Sequence, residues 1–329
     1  MAVTAFISRL KRAQQQSTEP TDQDLGMDLG MGGMQQPLTA PNFTSPTTTS
    51  TFSGVGNRYL ESPELALGYL KSIYRPLKRH YDWFRRMQRG QIKQYSRVAR
   101  SRTEAYRWRG RTEKHVLTSG MDDYPRGPPH AGELHLDLIS WMGFFTRTMK
   151  EIAGFVGEKE DEESFQSIED AILNNIEGGI LDIGMFGLTP CLITDLHWSN
   201  EHQMYCDANV DNNGLYAPHT LPFQLIASLC AEESYHVCHK GYLSLFPFML
   251  SLLPPSSPHL GPILDLLRDP KHLWSPYGIR SLSLSHPEFG QGENYWKGPI
   301  WVQMNYLVLA ALHKVGGMDE HGVGENGLA

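Results

Sequence analysis

At 329 residues, 40% hydrophobic and 20% charged, the chain has the composition of an ordinary globular protein, with room for one large domain or two small ones. Its four cysteines are too few for a disulfide scaffold, and no run approaches the roughly 18 to 20 apolar residues of a membrane-crossing helix. The formal charge of -7 hides a basic stretch, since 15 of the 29 Lys and Arg fall between Lys71 and Lys114, against Asp82, Glu104 and Glu113.

The first 16 residues carry Arg9, Lys11 and Arg12 with no apolar run behind them, a poor signal peptide. Residues 1–57 are expected to be a disordered segment, rich in Gln, Thr, Ser, Pro, Gly and Met from residue 14 on. Within it, Asn42-Phe43-Thr44 is a glycosylation acceptor triplet, meaningful only in the secretory pathway. Folding is expected from residue 58. Ser62-Pro63-Glu64 reads as a helix start, with Ser62 as N-cap, and Leu70, Ile73, Tyr74, Leu77, Tyr81 and Phe84 follow at helical spacing, with a kink predicted at Pro76. The basic stretch interleaves Tyr and Trp, which suits nucleic acid. A solvated helix face and a polar hairpin explain it more simply, so no nucleic-acid partner is expected.

Ser119-Gly120-Met121-Asp122-Asp123-Tyr124-Pro125-Arg126 then sets two adjacent carboxylates on a loop bracketed by Gly and Pro. Glu133 and Asp137 stand four apart, a spacing that predicts one shared helix face, and Trp141 follows one turn later. Like charges on one helix face repel, so something other than helix stability is expected to keep this cluster; capping of the following helix is the plainer alternative.

Further helical patterns cover residues 134–156, 164–176, 221–230, 241–253, 262–267 and 299–313, separated by Gly- and Pro-rich loops, with no convincing strand repeat. The predicted class is all-α. Cys230, His236, Cys238 and His239 lack the paired CxxC spacing of a zinc site, so they are read as ordinary buried or loop residues, and no metal or other cofactor is assigned.

Several motifs in order resemble glycoside hydrolase family 63. They are Tyr106 to Glu113, the double-Asp loop, Glu133 to Trp141, Leu196-His197-Trp198 with Tyr205-Cys206-Asp207, Val237 to Tyr242, and Gly292-Glu293-Asn294-Tyr295-Trp296-Lys297-Gly298-Pro299-Ile300-Trp301. The resemblance runs from about residue 58 to 314. It implies an (α/α)6 toroid, of which the helices counted here make a part, so that residues 58–314 form a partial toroid incomplete at both ends. It also implies inverting hydrolysis of the terminal α-1,2-linked glucose of the N-glycan precursor, with a glucosylated high-mannose N-glycan as partner, in the endoplasmic reticulum. Contact with a membrane would come only through an anchor that the chain lacks.

The family's Ser-Gly-x-Asp pattern makes Asp122 the general acid, with Asp123 the residue most easily confused with it. Crowding by Asp123, Glu133 and Asp137 would help such an acid keep its proton. Glu133 and Asp137 match the Glu-x-His-x-Asp motif that binds substrate hydroxyls, although a structural role for Asp137 stays open. Tyr124, Arg126 and Trp141 are expected to line or brace the pocket, joined by Tyr295, Trp296 and Trp301. Lys297 stands where members usually carry Arg, a poor exchange at a bidentate contact. Residues 178–194 read as an insertion and 315–329 as a divergent flexible tail. The family's general base, a Glu in a Trp-Glu-Gln-Tyr type motif, has no counterpart in the sequence. Negligible turnover is therefore expected of these 329 residues alone, which leaves a non-catalytic glycan-binding fragment as the alternative. A trehalase-like enzyme shares a similar acid motif but not the Asp-Asp-Tyr-Pro-Arg and Glu-x-His-x-Asp combination.

Overall fold

The computed structural model describes residues 63–95, 97, 99–178, 195–211 and 233–316. Its two compact units are Met1–Lys78 with Glu151–Lys159, and Arg79–Lys150 with Glu160–Ala329. The predicted disordered segment, the 221–230 helix, nearly all of the 178–194 run and the tail beyond Gly316 lie outside the described residues.

Helix α1 spans Pro63–Met87, starting at the predicted proline, whose missing N–H costs nothing in a first turn. It runs unbroken through Pro76. Pro76 and Ser72, whose carbonyl the proline leaves without its helical donor, are both exposed, so water can take the donor's place. Helix α2 (Leu136–Val156) buries Leu136, Leu138, Ile139, Met142 and Met149. Helix α3 (Lys159–Glu177) begins five residues before the predicted pattern, in an acidic first turn of Glu160, Asp161 and Glu162 that suits the positive end of the helix dipole. Its Glu169 receives Arg147 at 2.7 Å and Lys150 at 2.5 Å. Helices α4 (Tyr242–Met249), α5 (Leu260–Arg268) and α6 (Val302–Val315) follow, α4 being buried along its whole length.

The molecule is mainly helical but not all-α. Strands β1 (Trp198–Ser199) and β2 (Met204–Tyr205) form one antiparallel pair, and β3 (Asp207–Asp211) and β4 (Glu233–Val237) another, in register from Asp207 opposite Val237 to Asp211 opposite Glu233. Two of the strands are two residues long, too short for a period-2 pattern to appear in sequence. Leu134 bridges Ala208, exchanging backbone hydrogen bonds of 2.7 and 3.0 Å, and both pack in a core cluster with Ile92, Ala105 and Leu196. This bridge moves Glu133 off the helix: α2 starts only at Leu136, so Glu133 and Asp137 do not share a helix face. Backbone pairing to β3 wins over helical spacing there.

Cys206 and Cys238 are joined in a disulfide, whereas the sequence alone reads Cys238 as an ordinary buried or loop residue. They are the next pair outward from Asp207 and Val237 in the β3–β4 register, and their Cα atoms lie 4.7 Å apart, within bridging range.

Candidate active site

The double-Asp loop is built from its turns outward. Leu117–Ser119 makes a single 3-10 turn that ends on Gly120 at φ 72°, a left-handed conformation that glycine adopts without steric cost. The Ser119 hydroxyl accepts the Met121 N–H at 3.0 Å, and the Asp122 carbonyl accepts the Val116 N–H at 3.0 Å. These bonds fix the backbone of Asp122 and leave its side chain, half-buried, with no hydrogen bond or ion pair among the described residues.

Asp123 is fastened. It is buried, and its two oxygens accept the backbone N–H of Tyr295 at 3.0 Å and of Trp296 at 2.8 Å. The second signature motif is thereby tied to the first across more than 170 residues of sequence. A group that must present a proton to a ligand needs a free oxygen, and of the two neighbours Asp122 has it.

Tyr124 is buried and donates its hydroxyl to the His239 carbonyl at 3.1 Å; burial pushes its pKa up. Arg126 fills the space behind it. Its Nη1 donates to Asp137 at 3.2 Å and to Asp207 at 2.8 Å, and its Nη2 to Asp137 at 2.6 Å. Burial acts to lower the Arg126 pKa, but the two carboxylates outweigh it and hold the guanidinium above its usual range. Asp137 is saturated, since it also accepts the Trp108 indole N–H at 3.1 Å and the Leu138 N–H at 2.9 Å. Asp207 accepts the Leu136 N–H at 2.8 Å, capping α2 from a distant strand; burial raises its pKa against the pull of Arg126.

Glu133 faces Arg107 at 3.2 Å and Arg111 at 2.8 Å, with burial raising its carboxyl against both cations. Part of the basic stretch is thus spent on buried carboxylates, because Arg85 pairs with Glu104 as well. His135 accepts the Trp108 N–H on Nδ1 at 3.0 Å, so its proton sits on Nε2, and burial, followed by the nearby arginines, keeps its pKa well below the ordinary value. The predicted carboxylate crowd around Asp122 is therefore a set of acids that each have donors of their own.

A cleft of about 530 Å³ opens beside the loop. Arg111, Lys114, Arg126 and Lys297 line it together with Glu113, Asp123, Glu288 and Glu293, four cations against four carboxylates, and Tyr124 and Pro125 complete that wall. Lys297 pairs with Glu288 at 2.7 Å, and His115 lies 3.1 Å from Glu293. Among the remaining candidates, Trp296 and Trp301 stack with centroids 4.8 Å apart, Tyr295 is 56% exposed, and Trp141 lies edge-on to Phe144 and Phe246; these four, like Asp122, Glu133 and Asp137, are not among the residues that line the cleft. Asp207, Arg107 and Arg111 fall within the family motifs read from the sequence but are given no role there. Their partners are distant in the chain, and no local spacing announces them.

Residues 47–325 match the Glycosyl hydrolase family 63 C-terminal domain. The chain belongs to glycoside hydrolase family 63. It is 42% identical over 276 residues to the "Probable mannosyl-oligosaccharide glucosidase" of Schizosaccharomyces pombe, covering 80% of this chain and 30% of that protein. It is 38% identical over 265 residues to the "Mannosyl-oligosaccharide glucosidase" of Saccharomyces cerevisiae, covering 78% of this chain and 28% of that one. The chain thus spans about three-tenths of the length of these curated relatives. A solved structure titled "Sialidase" shares the fold at a TM-score of 0.51 with 15% identity, over 76% of this chain and 18% of that one. Among the described residues no group of three or more His, Cys, Asp and Glu could hold a metal ion, and no helix is long and apolar enough to cross a membrane.

Proposed function

We propose that this family 63 chain supplies the general-acid half of the active site of a mannosyl-oligosaccharide glucosidase. The reaction is inverting hydrolysis of the terminal α-1,2-linked glucose of a glucosylated high-mannose N-glycan. The observation that carries this reading is the Asp122–Asp123 loop beside a polar, charge-balanced cleft, in a chain 42% identical to a glucosidase. A neutral, hydroxyl-rich ligand suits such walls, because each hydroxyl can both donate and accept while no net charge is left uncompensated.

In this reading Asp122 protonates the leaving glycosidic oxygen, its side chain being free while Asp123 is occupied as an anchor between the two motif loops. An inverting enzyme needs a second carboxylate about 6.5 to 9.5 Å away to activate water. Arg126, Tyr124 and Asp123 form one wall, with Glu133 and Asp137 holding the cations behind it. Tyr295, Trp296 and Trp301 offer aromatic faces to sugar rings and Trp141 braces α2. The helices form part of an (α/α)6 toroid. The reaction would take place in the endoplasmic reticulum, and the Cys206–Cys238 disulfide supports an oxidising compartment.

Calorimetry on the 329-residue chain tests the acid. A protonated iminosugar mimic of glucose should bind more tightly than glucose itself. Asp122→Asn should cost the iminosugar at least tenfold in affinity and leave glucose within threefold, because the iminosugar nitrogen can take the proton from Asp122 and pair with the carboxylate left behind, which glucose cannot. Equal losses for both ligands, or none for either, would remove Asp122 from the acid role.

A further inference from the structure

One buried carboxylate is left without a role by the proposed reaction. Asp207 is buried, lies 81 residues from Arg126 in sequence, and is held by two opposed demands. One oxygen accepts the Leu136 N–H at 2.8 Å and so fixes the start of α2, while the other accepts Arg126 Nη1 at 2.8 Å. Asp137, on the first turn of that same helix, takes Nη1 and Nη2 of the same guanidinium. The plane of a guanidinium bonded by one carboxylate can still swing about that pair; a second carboxylate on Nη1 removes the swing. Three of the five N–H groups of Arg126 are thereby committed; of the other two, Nε–H is buried without a partner among the described residues, which leaves one N–H on Nη2 in a residue that lines the cleft.

The backbone supports the same arrangement. Asp207 opens β3, and the residue before it, Cys206, is bonded to Cys238, next to the His239 whose carbonyl accepts the Tyr124 hydroxyl. Two neighbouring cleft residues, Tyr124 and Arg126, are thus registered against the two strands at the disulfide-closed end of one strand pair.

We propose that Asp207 is a positioning residue of this site: it locks the Arg126 guanidinium against Asp137 at the edge of the cleft, so that the remaining Nη2 N–H is held for a sugar hydroxyl. The sugar ligand rests on the function proposed above, but the locking of Arg126 does not, and the two are read separately.

Asp207→Asn in the full 329-residue chain is the variant of choice, because Asn keeps an oxygen for the Leu136 N–H and so retains the cap on α2. NMR of arginine-labelled protein reads the lock directly. The Arg126 guanidinium N–H signals should be separate and slowly exchanging in the wild type and averaged in Asp207→Asn, with the helical circular dichroism unchanged. Signals that stay separate in the variant overturn the proposal whatever the ligand does. Calorimetry with an α-1,2-linked glucose disaccharide reads the consequence. Asp207→Asn should weaken binding at least tenfold, Asp207→Glu should recover part of that loss, and Arg126→Lys combined with Asp207→Asn should bind no more weakly than Arg126→Lys alone. Additive losses mean that Asp207 acts independently of Arg126 and also overturn the proposal. If the wild type binds no sugar while the NMR lock is present, the proposed function fails and the role of Asp207 toward Arg126 stands. Should Asp207→Asn fail to fold, Asp207→Glu serves for both measurements, and an unchanged Arg126 spectrum with unchanged affinity would count against the role.

Discussion

The burial of charge around the double-Asp loop puts the molecule's sharpest energetic demands on single residues. Arg126, Asp137 and Asp207 form a buried set whose pairing roughly offsets what it costs to strip them of water, so removing one member costs far more than the set contributes. Arg126→Ala leaves two buried carboxylates facing each other and should destabilise the protein by roughly 3 to 5 kcal/mol, measured by urea unfolding at pH 7. A loss below about 1 kcal/mol would mean that water enters the space and solvates both acids. The buried imidazoles set the response to acid. His197 donates Nδ1–H to the Cys206 carbonyl at 2.9 Å, and burial pushes its pKa down to about 3. In the unfolded chain it titrates near 6.5, so between about pH 6.5 and 3 the unfolded state binds the extra proton and stability falls as pH falls. Asn can replace the Nδ1 donor without titrating. Moving from pH 7 to pH 5 should cost the wild type about 2 kcal/mol more than His197→Asn, and parallel pH profiles would contradict this assignment.

Elements in this chain are legible where apolar spacing is regular and obscure where long-range pairing decides. Pro63 marked the start of α1 correctly because a helix start depends on local chemistry, and α6 was visible from its run of apolar residues between Val302 and Leu312. Glu133 was misplaced because Leu134 pairs with Ala208, a partner that lies 74 positions on and cannot be read from spacing. The β3–β4 pair was missed altogether, and with it the disulfide. Closing a loop with a sequence separation of 32 should contribute roughly 3 to 4 kcal/mol, so replacing both Cys206 and Cys238 with Ser should lower the unfolding midpoint. The wild type in strong reductant should move to the same midpoint, and insensitivity to both treatments would show the bridge to be energetically idle. Gly241, in front of α4, is a separate element-level constraint. A Cβ there would collide with the Tyr124 hydroxyl and the Ser281 carbonyl. Gly241→Ala should cost roughly 1 to 3 kcal/mol through overpacking, and a neutral result would mean that the Tyr124 ring can retreat from its place in the cleft wall.

At the scale of the whole molecule, the chain carries the double-Asp loop beside a polar cleft and spans about three-tenths of the length of its glucosidase relatives. The prediction that belongs to this scale separates binding from chemistry. The 329-residue chain should bind an α-1,2-linked glucose disaccharide in the calorimeter yet release negligible glucose from a glucosylated oligosaccharide, because its sequence holds no Trp-Glu-Gln-Tyr carboxylate to activate water. Turnover comparable with a full-length relative would place a general base within these residues and direct attention to Glu288 and Glu293, two further carboxylates that line the cleft.

The sequence by itself determined the family, the mainly helical class, and the loop that carries Asp122 and Asp123. Those are matters of motif order and local spacing, which survive without knowledge of what folds against what. Only the tertiary structure decided which acid is free and which are committed. Asp123 is held by two amides from residues 295 and 296, Asp137 and Asp207 by one guanidinium, and Glu133 by two. A carboxylate's role depends on the donors that reach it, and here most of those donors arrive from far along the chain.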